Sequence, residues 1–431
     1  MALVSKGMAA IRGGGRLLVA TLVLVPCTAS PQGGNPLGPE FRVNTYTTSY
    51  QSWPAVASDS SGNFVVVWHS DTQDGSGFGI FGQRFDSTGA TLGPEFRINA
   101  YTTNNQQHPA AGVDASGNFV VVWDRFVLAS PFFDDDVVGQ RFANNGAPLG
   151  PEFRVNTHSL DVQAFPAVTS DPSGNFVVVW ESNYQDGSFS DVFGQRFAST
   201  GAPLGSEFRV NTYTPYQQVH PVVTSDTSGN FVVVWDTVVV PSLDRDIVGQ
   251  RYASTGAPLG PEFRVNTYTT SIQVSPAVAS DSSGDFVVVW MSLTQDGSNW
   301  GVFGQRYAST GAPRGPEFRV NSYATGDQRY PAVASDPSGN MVVLWSSFAQ
   351  DGLDYGVFGQ RYASTGEPLG TEFRINTYTT DFQGVAAVSP DPSGDFVVVW
   401  TSNTQDGSSG GVFGQRYRAI VPVELMRFGV E

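Results

Sequence analysis

The sequence predicts an all-β fold, a seven-bladed β-propeller of four-stranded blades. Three observations carry that prediction. Glu-Phe-Arg recurs at Glu40, Glu95, Glu152, Glu207, Glu262, Glu317 and Glu372, with spacings of 55, 57, 55, 55, 55 and 55 residues. Fixed periods of about 20–50 residues or slightly more mark propellers and solenoids. Every copy holds four short runs rich in β-branched or aromatic residues, bounded by Gly, Pro, Asn, Asp and Ser, and none has a sustained helical period. The first and seventh copies are as regular as the middle ones, whereas an open solenoid needs atypical capping repeats. Repeats begin near residues 37, 92, 149, 204, 259, 314 and 369.

Residues 1–29 stand before the array and read as an export signal. Lys6, Arg12 and Arg16 precede the apolar run Leu17–Val25, and small residues follow around Ala29. A positive region, a short apolar region and a small-residue cleavage site in that order are the marks of such a signal. The apolar run has nine residues, against about 20 for a membrane span. The expected location is extracellular, periplasmic or on the cell surface, with no transmembrane segment in the mature chain. The only cysteine, Cys27, falls inside the signal, so no disulfide is expected. Residues 30–36 are a short linker.

Within the array, residues 37–417, the elements follow from composition. Glu40–Asn44 is a strand. Pro54–Asp59 is a second, with the small side chains that a crowded strand near an axis needs. Asn63–Trp68 is a third; it is apolar on both faces, so its sheet must be covered on both sides. Phe81–Phe85 is a fourth. The array opens with the Glu-Phe-Arg strand and closes with Phe413–Tyr417. If Glu-Phe-Arg is the outermost strand of the preceding blade, the last blade lacks one, and Glu40–Asn44 supplies it and seals the ring. The tail, residues 418–431, reads as a strand with an acidic end.

The turn Asp59-Ser60-Ser61-Gly62-Asn63 recurs at Asp114, Asp171, Asp226, Asp281, Asp336 and Asp391. Asp caps its own turn through backbone N–H groups, and Gly supplies positive φ. With the following aromatic-valine strand, this unit resembles the repeats of exported bacterial β-propeller proteins, including NHL repeats. That resemblance covers residues 37–417 and implies a fold rather than an activity. Phe81-Gly82 resembles integrin-type repeats, but their aspartate-rich calcium loop is missing, so no calcium is carried over.

The chain carries a net charge of −16, which disfavours binding to phosphate backbones. Two loop families share one face, and functional residues gather on loops held by a rigid scaffold. The first keeps Gln at Gln51, Gln106, Gln163, Gln217, Gln273, Gln328 and Gln383. The second keeps Gln-Asp-Gly at Asp74, Asp186, Asp296, Asp351 and Asp406. Two readings stand for these residues, contact with a hydroxyl-rich ligand and internal bonding of the loops. Copies two and four replace Gln-Asp-Gly with apolar segments, including Phe126, Leu128, Phe132 and Phe133 in one and Val239 and Leu243 in the other. These read as an interaction patch. The same copies place His108 and His220 before the inner strand's proline. Glu40 and Arg42, with Arg84 and its equivalents on the adjacent strand, read as cross-strand ion pairs. Trp68 and its equivalents read as buried between blades with bonded indole N–H groups.

No Ser-His-Asp set, phosphate loop or metal-spaced cluster is visible, so neither a cofactor nor a metal is expected. A monomeric, non-enzymatic binding or structural protein is the leading reading, a multivalent binder of extracellular glycans with one shallow site per blade. One alternative is a protein–protein scaffold using the apolar segments of copies two and four. A further alternative is a polysaccharide hydrolase or lyase using Asp134–Asp136 or Asp244 and Asp246 as acid and base. The enzyme reading predicts raised carboxylate pKa values in a central cleft.

Overall fold

A computed structural model describes residues 34–129, 132–187, 189–239 and 244–419, in backbone only for 127–129 and 132–133. The expected export signal and the tail beyond residue 419 lie outside the described residues. The first described strand is β1 (Phe41–Arg42), followed by β2 (Gln51–Ser58), β3 (Phe64–Asp71), β4 (Phe78–Phe85) and β5 (Phe96–Arg97). Strands β2 to β5 form one antiparallel blade in chain order, and five further blades repeat this order. In the last blade the outermost place is taken by β1, which pairs with Gly411–Tyr417 through Phe41↔Gly414 and Arg42↔Phe413. Seven four-stranded blades close into a ring by the expected route. Among the described residues there is no helix, and none long and apolar enough to cross a membrane.

The third strand, with its apolar residues on both faces, explains the packing. Val65 and Val67 of the first blade meet Phe119, Val121 and Trp123 of the second. The alternate residues Val66 and Trp68 meet Val397 and Val399 of the last. Trp68 and its six equivalents are fully buried. Burying a large apolar side chain this way contributes about 1.5–3 kcal/mol. Trp180 and Trp235 donate their indole N–H to Gln163 and Gln218. In the other five the indole N–H has no acceptor among the described residues, so the expected bond forms in two copies.

The Glu–Arg pairing expected across the outer strands does not form. Each glutamate instead reaches the neighbouring blade: Glu95 accepts from the Thr45 N–H (2.5 Å) and hydroxyl (2.9 Å), and within its own blade from Gln73 (2.5 Å). Glu40 does the same, taking Thr377 of the sixth blade and Gln405 of its own. The arginines also cross between blades. Arg84 donates to Asn144 O of the next blade and to Leu92 O of its own (2.6 Å), and Arg251 donates to Ser309 O (2.5 Å). Backbone carbonyls of the next turn therefore take the guanidinium that a carboxylate was expected to take. Arg361 is the exception. It is buried over Phe396, 4.6 Å from the ring centroid, and desolvation lowers its pKa to about 10.

Candidate functional site

The site originates in an irregularity of the innermost strand. Pairing between β2 and β3 shifts register between Ser52 and Ala55, and all seven blades repeat the shift. A β-bulge of this kind re-aims side chains. The bulged residue has a left-handed backbone: Trp53 (φ 53°), His108 (49°), Phe165 (52°), His220 (54°), Ser275 (54°), Tyr330 (53°) and Val385 (50°). For residues with a Cβ this costs of order 1–3 kcal/mol each. Neighbouring members touch: Trp53 lies 5.1 Å from His108, His108 4.3 Å from Phe165, and Phe165 6.1 Å from His220, centroid to centroid. The innermost strands of a propeller line its axis, so these residues form an arc at the axial mouth on the long-loop face. Trp53, Phe165 and Tyr330 are exposed there.

A second ring lies beneath. The residue after each core tryptophan is His69, Asp124, Glu181, Asp236, Met291, Ser346 or Thr401, and all seven are buried. Asp124, Glu181, Asp236 and Met291 each reach the backbone N–H of the bulged residue in the next blade. The His220 N–H donates to Glu181 Oε1 (2.6 Å), and the N–H groups of Phe165 and Ser275 approach Asp124 and Asp236 (3.4 Å each). Two His–carboxylate dyads result. His108 Nδ1 meets Asp124 at 2.8 Å and His220 Nδ1 meets Asp236 at 2.7 Å. Arg245, from the long hairpin of the fourth blade, holds the other oxygen of Asp236 at 2.7 Å. A carboxylate on Nδ1 fixes the tautomer and frees Nε2 to act as a base. His69 differs: its Nε2 is bonded to Ser52 (2.6 Å), both are buried, and burial holds its pKa near 3.

Electrostatics separates the acids in this arc. Burial raises Glu181 to about 7; the His220 N–H bond and charge oppose this, and Asp236 adds to it. Burial also raises Asp135 to about 6, reinforced by Asp124 and opposed by His108. For His220 burial acts downward, but Asp236 and Glu181 outweigh it and its pKa is raised. A carboxyl protonated near neutrality beside oriented imidazoles is an acid–base set.

The residues singled out in the sequence take other places. Gln51, Gln106, Gln163, Gln273, Gln328 and Gln383 are fully buried. Gln51 accepts from Asn44 (3.3 Å) and donates to Thr48 O (2.8 Å), and Gln106, Gln273 and Gln328 bond in the same way. In the fourth copy the equivalent residue is Gln218, not Gln217; Gln217 instead accepts from Arg245 (2.8 Å). These glutamines bond the loops internally, the second of the two readings. Asp74 and Asp351 accept from Asn99 and Asn376. Asp296 and Asp406 accept turn N–H groups from Ser298 and Ser408. Of the apolar segments, Phe126 and Val239 sit on long hairpin strands rather than loop tips and are partly buried. The backbones of Leu128, Phe132 and Phe133 pair within the same hairpin; their side chains, and all of Leu243, lie outside the described residues. Asp134, Asp136 and Asp246 are bonded into the frame through Asp161, Asn156 and Asn266. One strand inward lie a buried carboxyl, Glu181, and the two His–carboxylate dyads.

The third copy holds a carboxyl pair. Position 79 is Gly, as are its equivalents 301, 356 and 411, and a Cβ at Gly79 would stand 2.5 Å from Asp74 Oδ2. Copies two and four put Asp136 and Asp246 at this position but lack Gln-Asp-Gly. Copy three has both, so Asp191 is crowded against Asp186, which turns to Arg209 (2.7 Å). Burial, and then Asp186, raise the Asp191 pKa. A raised carboxyl favours the fold while protonated, and that contribution is lost as pH rises through the raised pKa. Asp191→Gly should therefore raise Tm more at pH 8 than at pH 5, measured by thermal unfolding at both.

No protein-family model matches the chain, and no curated protein matches it in sequence. Solved structures are similar in fold. A protein of unknown function from Dyadobacter fermentans has a TM-score of 0.54 at 10% identity, covering 88% of this chain and 98% of its own. A fungal alcohol oxidase of the AA5 family, solved with copper, has a TM-score of 0.53 at 11% identity over 90% of this chain and 76% of its own. An α-L-arabinanase of Penicillium chrysogenum has a TM-score of 0.49 at 16% identity over 73% of this chain and 93% of its own. The likeness is one of fold alone. Chemistry has to be argued from the axial residues.

Proposed function

We propose that this chain binds a glycan across the axial mouth and cleaves it by acid–base chemistry. One observation carries the reading. In an array that otherwise repeats, the residues that break the repeat with acids, imidazoles and large aromatics meet at one end of one axis. Trp53, Phe165 and Tyr330 offer exposed faces on which sugar rings stack, as aromatic side chains do with apolar ring faces. Phe165 lies between the two histidines. A sugar on it has the His108–Asp124 dyad on one side and Glu181 with His220 on the other. Glu181 gives its proton to the leaving glycosidic oxygen as the carbon–oxygen bond breaks. His108 Nε2 takes a proton from the water that attacks the sugar carbon.

A single axial site replaces the expectation of equivalent sites around the ring, because the repeated glutamines are buried. The test is a panel of arabinan, xylan, mannan and mixed-linkage β-glucan, with binding and release of reducing ends measured on the same samples. Saturable binding of one polysaccharide with turnover is expected. Trp53→Ala and Tyr330→Ala should each weaken binding about 5–150-fold, from roughly 1–3 kcal/mol of lost aromatic contact. Binding that survives both substitutions, or turnover of nothing in the panel, would overturn the reading.

A further inference from the structure

We infer that the axial site continues outward over the third blade as an aromatic rim, and that its substrate is a long linear polysaccharide rather than a short oligosaccharide. This extension rests on the glycan reading above.

The inference starts from four positions where the third-blade sector breaks the repeat. Leu160 stands where five of the other copies have Thr, at Thr48, Thr103, Thr270, Thr325 and Thr380. Tyr184 stands in place of Thr72, Thr294, Ala349 and Thr404. Phe189 replaces Gly77, Asn299, Asp354 and Ser409, and Tyr216 replaces Ser49, Ser271, Gly326 and Asp381. Small or polar loop residues have thus become large apolar or aromatic ones, all in one sector. They are not tucked away: Leu160 is 62% exposed, Tyr184 57%, Phe189 52% and Tyr216 38%. Tyr184 and Tyr216 hold left-handed backbone at φ 56° and 67°. The Phe189 and Tyr216 rings lie almost parallel, 7° apart in plane and 6.2 Å between centroids.

Their place in the chain ties them to the axis. Tyr216 is four residues before His220, and Tyr184 is three after Glu181, so the loops that carry the rim run directly into the proposed acid and its neighbouring dyad. A cluster of exposed apolar residues on one face marks an interaction site. Exposed tyrosines with flat, rigid rings suit a chain of sugars. Continuity with the axial mouth favours a glycan over a protein partner. A chain stacked on Phe165 would lie with its next units over Tyr216 and Phe189.

The test uses the full chain and its Phe189→Ala/Tyr216→Ala double variant. The probes are the polysaccharide that binds in the panel and its own disaccharide to tetrasaccharide. Expected for the variant is at least a tenfold rise in Kd or KM for the polymer, with under a twofold change for the disaccharide and an unchanged kcat. Equal loss on polymer and disaccharide would overturn the rim, since the change would then act at the axis. No loss on either would overturn it as well, while the axial reading would stand on Trp53→Ala and Tyr330→Ala. Retained polymer binding with loss of a protein partner in a pull-down would reassign the surface to protein. Unchanged Tm in the double variant separates these outcomes from misfolding.

Discussion

Glu181→Gln should reduce kcat on the cleaved polysaccharide by about 10²–10⁴-fold, the usual contribution of a general acid, and leave binding within a few-fold. The amide is isosteric and its oxygen still accepts the His220 N–H, now at 2.6 Å to Oε1, so the fold should survive. What disappears is the transferable proton. The pH profile gives the sharper readout. Glu181 is raised to about 7, so the wild-type rate should fall on the alkaline side as this carboxyl ionises. In the variant that limb should be lost. Stability gives an independent check. A group with an unfolded pKa near 4.3 and a folded value near 7 stabilises the fold while both states are protonated, and that contribution is lost as pH rises through 7. Wild-type Tm should therefore decline between about pH 4 and 7 more steeply than that of Glu181→Gln. A variant with wild-type turnover and an unchanged alkaline limb would remove Glu181 from the chemistry.

The fold was legible because it is a matter of period and phase. The Glu-Phe-Arg spacing set the blade count, and the strand left over at Glu40–Asn44 set the closure. The site was far less legible. Read from propensity, the inner strand begins at Pro54 and the third ends at Trp68. The strands begin at Gln51 and run on to Asp71. The positions in between, Trp53 and His69 with their equivalents, are where the site lies. Proline and a bulge with left-handed backbone break the two-residue alternation that marks a strand, so these positions read as loop. A signal was present all the same. After an almost constant Val-Val-Val-Trp the next residue is His69, Asp124, Glu181, Asp236, Met291, Ser346 or Thr401. Such variation at a buried position, within a frame that hardly varies, distinguishes the seven copies chemically. His108 and His220 gave half of this signal; their carboxylates lie 16 residues further along the chain on the neighbouring strand, a relation fixed by pairing rather than by sequence proximity. The repeated glutamines show the converse. Constancy at Gln51 and its equivalents follows from the same loop having to be bonded seven times, which is a demand of the frame.

Deleting residues 34–44 should cost most of the folding free energy, far more than cutting the same kinds of bond inside the ring. This segment is the outer strand of the last blade. It supplies the pairs Phe41↔Gly414 and Arg42↔Phe413. It also makes the bonds Leu37 N–H to Arg416 O (2.7 Å), Val43 N–H to Val412 O (2.8 Å) and Val412 N–H to Asn44 Oδ1 (2.7 Å). Gln415 and Arg418 donate to Gly38 O (3.0 Å) and Asn35 O (2.8 Å), and Glu40 clips Thr377 (2.8 Å to its N–H). Val43 is buried in the cluster that joins the first and last blades. At about 0.5–1.5 kcal/mol per hydrogen bond, with roughly 1.5–3 kcal/mol for Val43, the loss is about 5–10 kcal/mol. That matches the whole net stability of an ordinary domain, about 5–15 kcal/mol. A ring also differs from an open array: removing one outer strand leaves a free sheet edge and unpins the seam, whereas a point lesion elsewhere is held from both sides. Glu317→Ala, which breaks the equivalent clip to Thr267 between the fourth and fifth blades, is the control and should cost about 1–3 kcal/mol. Urea unfolding of both variants decides the matter. A truncated chain that unfolds in one transition with the midpoint of Glu317→Ala would show that the seam carries no more than any other blade contact. A lower and broader transition, restored by adding a peptide of residues 34–44 in trans, is the result that closure by β1 requires.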